Sequence, residues 1–161
     1  MSNTKNNGTG PASCSQFGAL CWRPGENGAE VLLISSRETG RWVIPKGWPM
    51  TGRSGPEAAA IEAWEEAGVT GPIMPDHLGC FTYDKILKRD TDAERVQPCT
   101  VEVYPLQVTS IAPTFPECDQ RRRQWFAPEM AAQQVAEEEL QALLIGFRPP
   151  LLQGMRQGGR A

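Results

Sequence analysis

The chain has 161 residues, 40% of them hydrophobic and 22% charged, with a formal net charge of −3. That length suits one domain around one core. The charge balance argues against a surface that coats nucleic acid and gives no reason to expect membrane adhesion. No apolar run approaches the roughly 18 residues of a membrane span.

Residues 1–12 are mainly Asn, Gly, Thr and Ser, without the apolar stretch of a signal peptide. They predict a flexible tail on a cytoplasmic protein. The folded domain is expected over 13–148, with a second tail over 149–161. Phe17 to Arg23 and Glu30 to Ser35 are short apolar runs flanking the turn signal Gly25-Glu26-Asn27-Gly28, which predicts an antiparallel pair. Trp42 to Pro45 is a further extended piece, and Lys46 to Gly52 is loop-like by composition. A helix follows: Ser54 or Gly55 caps it, Pro56 suits its first turn and Gly68 stops it. Strands are expected at Leu78–Tyr83, at Cys99–Val108 and, briefly, at 124–126. Helices are expected at Pro128–Ala132 and Ala136–Phe147. Strands and helices without regular alternation imply an α/β (α+β) sandwich around a mixed sheet. The five cysteines (Cys14, Cys21, Cys80, Cys99, Cys118) are scattered and never spaced as CxxC. A disulfide framework or structural zinc is therefore disfavoured, and Cys80 and Cys99 are read as core residues.

The chemistry is concentrated on the helix after residue 54. At about 100° per residue, Glu62, Glu65 and Glu66 project into one sector about 100° wide, while Ala60, Ala63, Trp64 and Ala67 fall opposite. Glu62 and Glu66 stack one turn apart. Like charges so placed repel unless a cation sits among them, and oxygen-only ligands suit a hard divalent ion such as Mg²⁺. Taken alone, three such glutamates read most simply as a solvated acidic face. Glu137-Glu138-Glu139 reads that way too.

A glycine frame separates the first cluster from the second. Gly47, five residues to Arg53, seven more to Ile61, then Glu62-Ala63-Trp64-Glu65-Glu66-Ala67-Gly68-Val69 resembles the Nudix box, Gly-x5-Glu-x7-Arg-Glu-U-x-Glu-Glu-x-Gly-U, with U aliphatic. Arg53 and Ile61 depart from the pattern, replacing the glutamate and arginine that pair in the family. Arg37, Arg41-Trp42-Val43-Ile44-Pro45-Lys46-Gly47 and Arg121-Arg122-Arg123-Gln124-Trp125-Phe126 resemble the diphosphoinositol and diadenosine polyphosphate phosphohydrolases of that family. The resemblance covers roughly Phe17 to Phe147. It implies a Nudix α/β/α sandwich with a loop-helix-loop box, and a pyrophosphohydrolase using Mg²⁺, with Mn²⁺ as a substitute.

By position, Glu62 and Glu66 become metal ligands and Glu65 a third. Glu65 is the preferred general base, with Glu62 the other choice. Gly47 lets backbone approach metal or phosphate. Ser35, Ser36, Arg37, Arg41, Lys46 and Arg123 are substrate-contact candidates. Lys85, Lys88 and Arg89 form a second basic group, expected on a loop after the Tyr83 strand. Glu102 and Glu117 are candidates for a metal ligand outside the box. The substrate is left open between inositol pyrophosphates, dinucleoside polyphosphates and simpler nucleoside diphosphate derivatives. The expected partner is that small molecule, with no nucleic acid or membrane, on a monomer or homodimer. A Nudix-fold binding or sensor module with little catalysis is the alternative, motivated by Arg53 and Ile61.

Overall fold

The structure is a computed structural model and describes residues 14–150. The tail expected over 1–12, and all of the second tail but Pro149 and Pro150, lie outside the described residues. The first two strands, β1 (Cys14–Gly25) and β2 (Gly28–Ser35), pair antiparallel, with Trp22 opposite Val31 and Gly25 opposite Gly28. Only Glu26 and Asn27 lie between them, and Gly28 has φ 117°, which an L side chain would adopt only with strain. The short β3 (Trp42–Val43) extends β2 outward, and β4 (Lys46–Gly47) pairs with Phe17 and Gly18 of β1. Helix α1 (Gly55–Ala67) follows, then β5 (Val69–Thr70), β6 (Gly79–Leu87), β7 (Arg95–Gln107), β8 (Ser110–Ile111) and β9 (Arg123–Phe126). The chain continues into α2 (Pro128–Gln134) and α3 (Glu138–Ile145). The main sheet runs β3-β2-β1-β7-β6, with β9 also on β2; β1 and β7 are parallel and the other pairings antiparallel.

Both faces of β1 are buried, and the alternation of a strand sends successive side chains to opposite layers. Leu20 and Trp22 join Val31, Leu33, Val101 and Val103 under α2 and α3, where Ala131, Leu140 and Leu144 pack. Ala19 and Cys21 join Leu32, Ile34, Tyr104 and Leu106 on the other face, under Ala59, Ala63 and Ala67 of α1. This is the α/β sandwich expected from the mixed pattern of elements.

Several elements differ from the sequence reading. Strand β6 runs on to Leu87, so Lys85 lies within a strand rather than on the following loop. Its pairing with β7 extends to Leu87 opposite Arg95, and that ladder outweighs the polar composition of the segment. Trp64 is exposed, and Glu66 is buried beside Ala63 and Ala67, so the acidic and apolar faces of α1 merge instead of opposing each other. Cys14 and Cys99, register partners on β1 and β7 with Cα atoms 4.5 Å apart, are joined by a disulfide. The scattered spacing of the cysteines hid this pairing, because the parallel register brings together residues 85 apart. Cys80 is exposed rather than core. Among the described residues, no helix is long and apolar enough to cross a membrane.

Candidate functional site

The site is built around α1, which local sequence holds at both ends. Ser54 Oγ accepts from the Glu57 amide, and Glu57 Oε1 accepts from the Ser54 amide, a reciprocal capping box. Glu57 is thereby committed to the cap. Gly68 closes the other end in the left-handed conformation, φ 71°. Beyond it the chain folds back on the helix terminus. The amide of Ala112 donates to Gly68 O, and that of Glu117 donates to Glu65 O at 3.0 Å. This return path sets Glu117 and Arg121 over the glutamates.

A cavity of about 320 Å³ opens there. Its lining includes the acids Glu38, Glu62, Glu66, Asp84, Glu117 and Glu137 and the bases Arg37, Arg41, Lys46, Lys85, Arg89 and Arg121, together with Gly47 and Tyr83. Glu66 is 9% exposed. Its Oε1 accepts from the Lys46 amide at 3.3 Å and its Oε2 lies 3.5 Å from Arg121 Nη2. Arg121 also donates through Nε to Glu117 Oε1 at 2.8 Å and through Nη1 to Ser35 O at 3.0 Å. Its guanidinium therefore ties β2 and two acids into one network. A Cβ on residue 47 would overlap the Glu62 carboxylate, so glycine is required for that carboxylate to lie where it does.

The electrostatics follow from burial. The Glu62 carboxyl is pushed up to about 8 by burial, by the neighbouring Glu66 charge and by a hydrogen bond shared with Glu66. Burial also raises Glu66, while Arg121 and Lys46 pull the other way. Two carboxyl groups that share a proton form a site in which a divalent ion can replace that proton. Among the described residues, no three Asp, Glu, His or Cys side chains are already gathered at ligating spacing. The donor set in hand is the Glu62–Glu66 pair. It fits a hard cation that keeps waters and completes its shell with phosphate oxygens. Lys46 is part-buried, and desolvation lowers its pKa although Glu66 and Glu137 oppose the shift. Its ammonium sits 4.7 Å from the Tyr83 ring centroid.

Of the residues predicted for the site, Glu62, Glu66, Ser36, Arg37, Arg41, Lys46, Gly47, Lys85 and Arg89 line the cavity. Glu65, Ser35, Lys88 and Arg123 do not. Glu65 stays close enough to Glu62 to raise its pKa. Ser35 is buried, with Oγ accepting from the Arg122 amide. Lys88 forms the β6–β7 turn with φ 55°. Arg123 donates to Ala67 O and Ala112 O, each at 2.7 Å, and stacks on Phe115. Its charge binds the end of α1 to the return loop, and the basic residue of that run that reaches the glutamates is Arg121. The Glu117–Arg121 spacing of four was a sequence signal for that choice. Of the two further acidic candidates, Glu117 lines the cavity and Glu102 accepts from Tyr104 Oη instead. The Glu137-Glu138-Glu139 run is not simply solvated. Glu137 lines the cavity, and Glu139 Oε1 accepts from the amide and hydroxyl of Thr82. Gln16, Tyr83 and Glu137 were not foreseen: the pairing of β1 and β6 on either side of β7 brings Gln16 to Tyr83, and the packing of α3 against β6 brings Glu137 to the same cavity.

The Nudix domain family matches residues 15–144, nearly all of the described chain. The chain belongs to the Nudix family. A diphosphoinositol polyphosphate phosphohydrolase 3-beta from Bos taurus is 36% identical over 140 residues, spanning 81% of this Nudix chain and 77% of the relative. Nudix hydrolase 13, mitochondrial, from Arabidopsis thaliana is 33% identical over 123 residues, spanning 76% and 61%. The chain thus spans about three-fifths of the length of such plant Nudix relatives. In fold it is similar to a C. elegans Ap4A hydrolase, with TM-score 0.58 at 20% identity over 83% of this chain and 95% of that one. An E. coli dihydroneopterin triphosphate pyrophosphohydrolase gives TM-score 0.63 at 16% identity over 83% and 93%.

Proposed function

We propose that this Nudix chain is a divalent-cation-dependent pyrophosphohydrolase acting on a phosphoanhydride of a polyphosphorylated small molecule. The observation that carries the reading is the Glu62–Glu66 pair, held in the wall of a cavity that Arg37, Arg41, Lys46, Lys85, Arg89 and Arg121 also line. Mg²⁺, or Mn²⁺ in its place, would be held by Glu66 and Glu62. When bound it would neutralise charge developing on phosphate oxygens. Arg37, Arg41, Lys85 and Arg89 bind and orient the phosphate chain, since guanidinium forks match phosphate oxygens. Lys46, with its ammonium over the Tyr83 ring, supplies a positive charge whose field reaches Glu66.

Glu62 is the preferred proton acceptor for the attacking water, because it lines the cavity and Glu65 does not. Glu65 reinforces the negative field around Glu62. Phosphate release from a panel of dinucleoside polyphosphates, diphosphoinositol polyphosphates and nucleoside diphosphate derivatives, with Mg²⁺ and with Mn²⁺, tests the reading. Glu66→Gln is expected to lose at least a hundredfold in kcat while remaining folded. Unchanged turnover in that variant would remove the site from the chemistry. In the alternative reading, a ligand-binding module, Arg53 and Ile61 are the relevant departures. Arg53 is exposed, and its amide donates to Met50 O within the box loop. That reading expects tight binding without cation-dependent release of product.

A further inference from the structure

Lys46 carries its ammonium on a flexible aliphatic stem, from a backbone fixed by pairing with Gly18 and by the amide bond to Glu66. The charges of both Glu66 and Glu137 act on it. Coulomb attraction draws a flexible ammonium onto a carboxylate within reach. Lys46 does otherwise. Among the described residues every ion pair is made by an arginine. The Lys46 ammonium lies instead over the Tyr83 ring, 4.7 Å from its centroid. The negative face of an aromatic ring attracts a cation without cancelling its charge.

The ring is itself held in place. Tyr83 Oη donates to Gln16 Oε1 at 2.8 Å, and Gln16 is 3% exposed. The core residue Phe81 packs beside it, with ring centroids 6.4 Å apart. Burial pushes the Tyr83 phenol up to about 12, so it stays a neutral donor. In the sheet register Cys99 stands opposite Cys14 on one side and Tyr83 on the other. The Cys14–Cys99 disulfide thus ties β1, the strand of Gln16, to β7, the strand beside Tyr83. Gln16 and Tyr83 are presented to each other by a ladder that is cross-linked. Both line the cavity with Lys46, Glu62 and Glu66. A polyphosphate needs cations not already paired with carboxylates, and a divalent ion needs carboxylates not already paired with an ammonium.

We propose that Tyr83, braced by Gln16, is a positioning residue: it holds the Lys46 ammonium on its ring face, off Glu66 and Glu137, where the charge is available to a phosphate oxygen of the substrate. The inference rests on the phosphoanhydride reading above and goes beyond it by naming what orients Lys46. Its readouts are a resonance and a binding constant rather than turnover, so the two can fail separately: loss of the hydrolase reading would show in Glu66→Gln kinetics and leave these readouts interpretable.

A proton over an aromatic face is shielded by the ring current. In the full chain the Lys46 ε-methylene protons should therefore resonate upfield of those of the other lysines, the signal being assigned by its loss in Lys46→Met. Tyr83→Phe keeps the ring and drops the hydroxyl, and should keep most of that shift; Tyr83→Leu should abolish it. Calorimetry with methylenediphosphonate in Mg²⁺ reads the consequence for binding. Tyr83→Leu should weaken that probe by about threefold to thirtyfold, the span expected of a cation over a part-buried ring, and Tyr83→Phe by less than about twofold. In a Lys46→Met background Tyr83→Leu should change the affinity by less than about twofold, because the group it positions is gone. A wild-type Lys46 signal at the ordinary lysine position, no measurable binding by the wild type, or no effect of Tyr83→Leu would each overturn the proposal. So would equal losses in Tyr83→Phe and Tyr83→Leu, or an undiminished loss in the Lys46→Met background. Melting temperature reports folding of each variant, and Tyr83→Met takes the place of Tyr83→Leu in every comparison if the latter does not fold.

Discussion

Arg121 Nη2 and Glu66 Oε2 lie 3.5 Å apart with both side chains about nine-tenths buried. Each neutralises a charge that the other would leave stranded, and Arg121 extends the network to Glu117 and Ser35 O. Removing one partner of a buried pair costs about 3–5 kcal/mol, because the remaining ion has lost its compensation. Arg121→Met should lower unfolding free energy by about that amount in a urea titration. Arg121→Met combined with Glu66→Gln should restore part of it.

The raised carboxyls give the metal-free protein a distinctive pH response. A carboxyl whose pKa is higher folded than unfolded costs nothing while it is protonated in both states. The penalty grows as pH rises from the ordinary carboxyl range towards the folded value, about 8 for Glu62, and is constant above it. In chelator, the melting temperature should therefore fall between pH 5 and pH 8 more steeply for wild type than for Glu62→Gln. Conversely, the rise in melting temperature caused by Mg²⁺ should be larger at pH 8.5 than at pH 6, since the ion displaces the shared proton. An identical Mg²⁺ effect at both pH values would count against the shared-proton pair.

Gly47→Ala drives a Cβ into the Glu62 carboxylate. The crowded atoms are the far end of a flexible side chain in a cavity wall, so Glu62 turns aside at little cost to the fold. The variant should stay folded by circular dichroism, melt close to the wild-type temperature without metal and lose the Mg²⁺-dependent increment in melting temperature. A retained increment would mean that Glu62 can move aside without losing the ion.

Arg123 and Arg37 should separate stability from substrate binding. Arg123 spends two charge-assisted bonds on carbonyls at the end of α1 and on the return loop. Its replacement by Ala should lower stability by about 2–3 kcal/mol with little change in KM. Arg37 is half exposed in the cavity wall, with Glu117 3.8 Å away. Arg37→Ala should raise KM severalfold and leave the melting temperature nearly unchanged.

The disulfide can be counted. Titration of the unfolded, unreduced chain should find three thiols, Cys21, Cys80 and Cys118, and five after reduction. Closing a loop of 85 residues contributes on the order of 4–5 kcal/mol in the chain-entropy description. Reduction should thus lower the melting temperature markedly. Five thiols without reductant would show the pair to be open.

What could be read from the sequence is what neighbouring residues decide among themselves. Ser54, Glu57 and Gly68 bracket α1 through bonds of short range, and the Gly25–Gly28 turn fixes the first hairpin. The glutamate sector came from helical period alone. Arg121 and Arg123 are indistinguishable in that view, since which one meets a glutamate and which one meets carbonyls depends on the fold of 112–122 over α1. The same holds for Cys14 with Cys99, for Gln16 with Tyr83, and for Glu137 across from Arg41. The burial of Glu66 among alanines escaped because period assigns direction, while a covering loop decides what becomes interior.

The two-residue strand β4 carries a consequence for how such a molecule would work. Lys46 and Gly47 are stitched to Phe17 and Gly18 of the innermost ribbon, and the Lys46 amide reaches Glu66. The segment that cradles the acids is therefore held by backbone pairing to the central strand of the sheet and by a bond to α1. Assembly of the reactive arrangement need not await a large closing motion, so any slow step after chemistry is more naturally sought in the departure of the fragments.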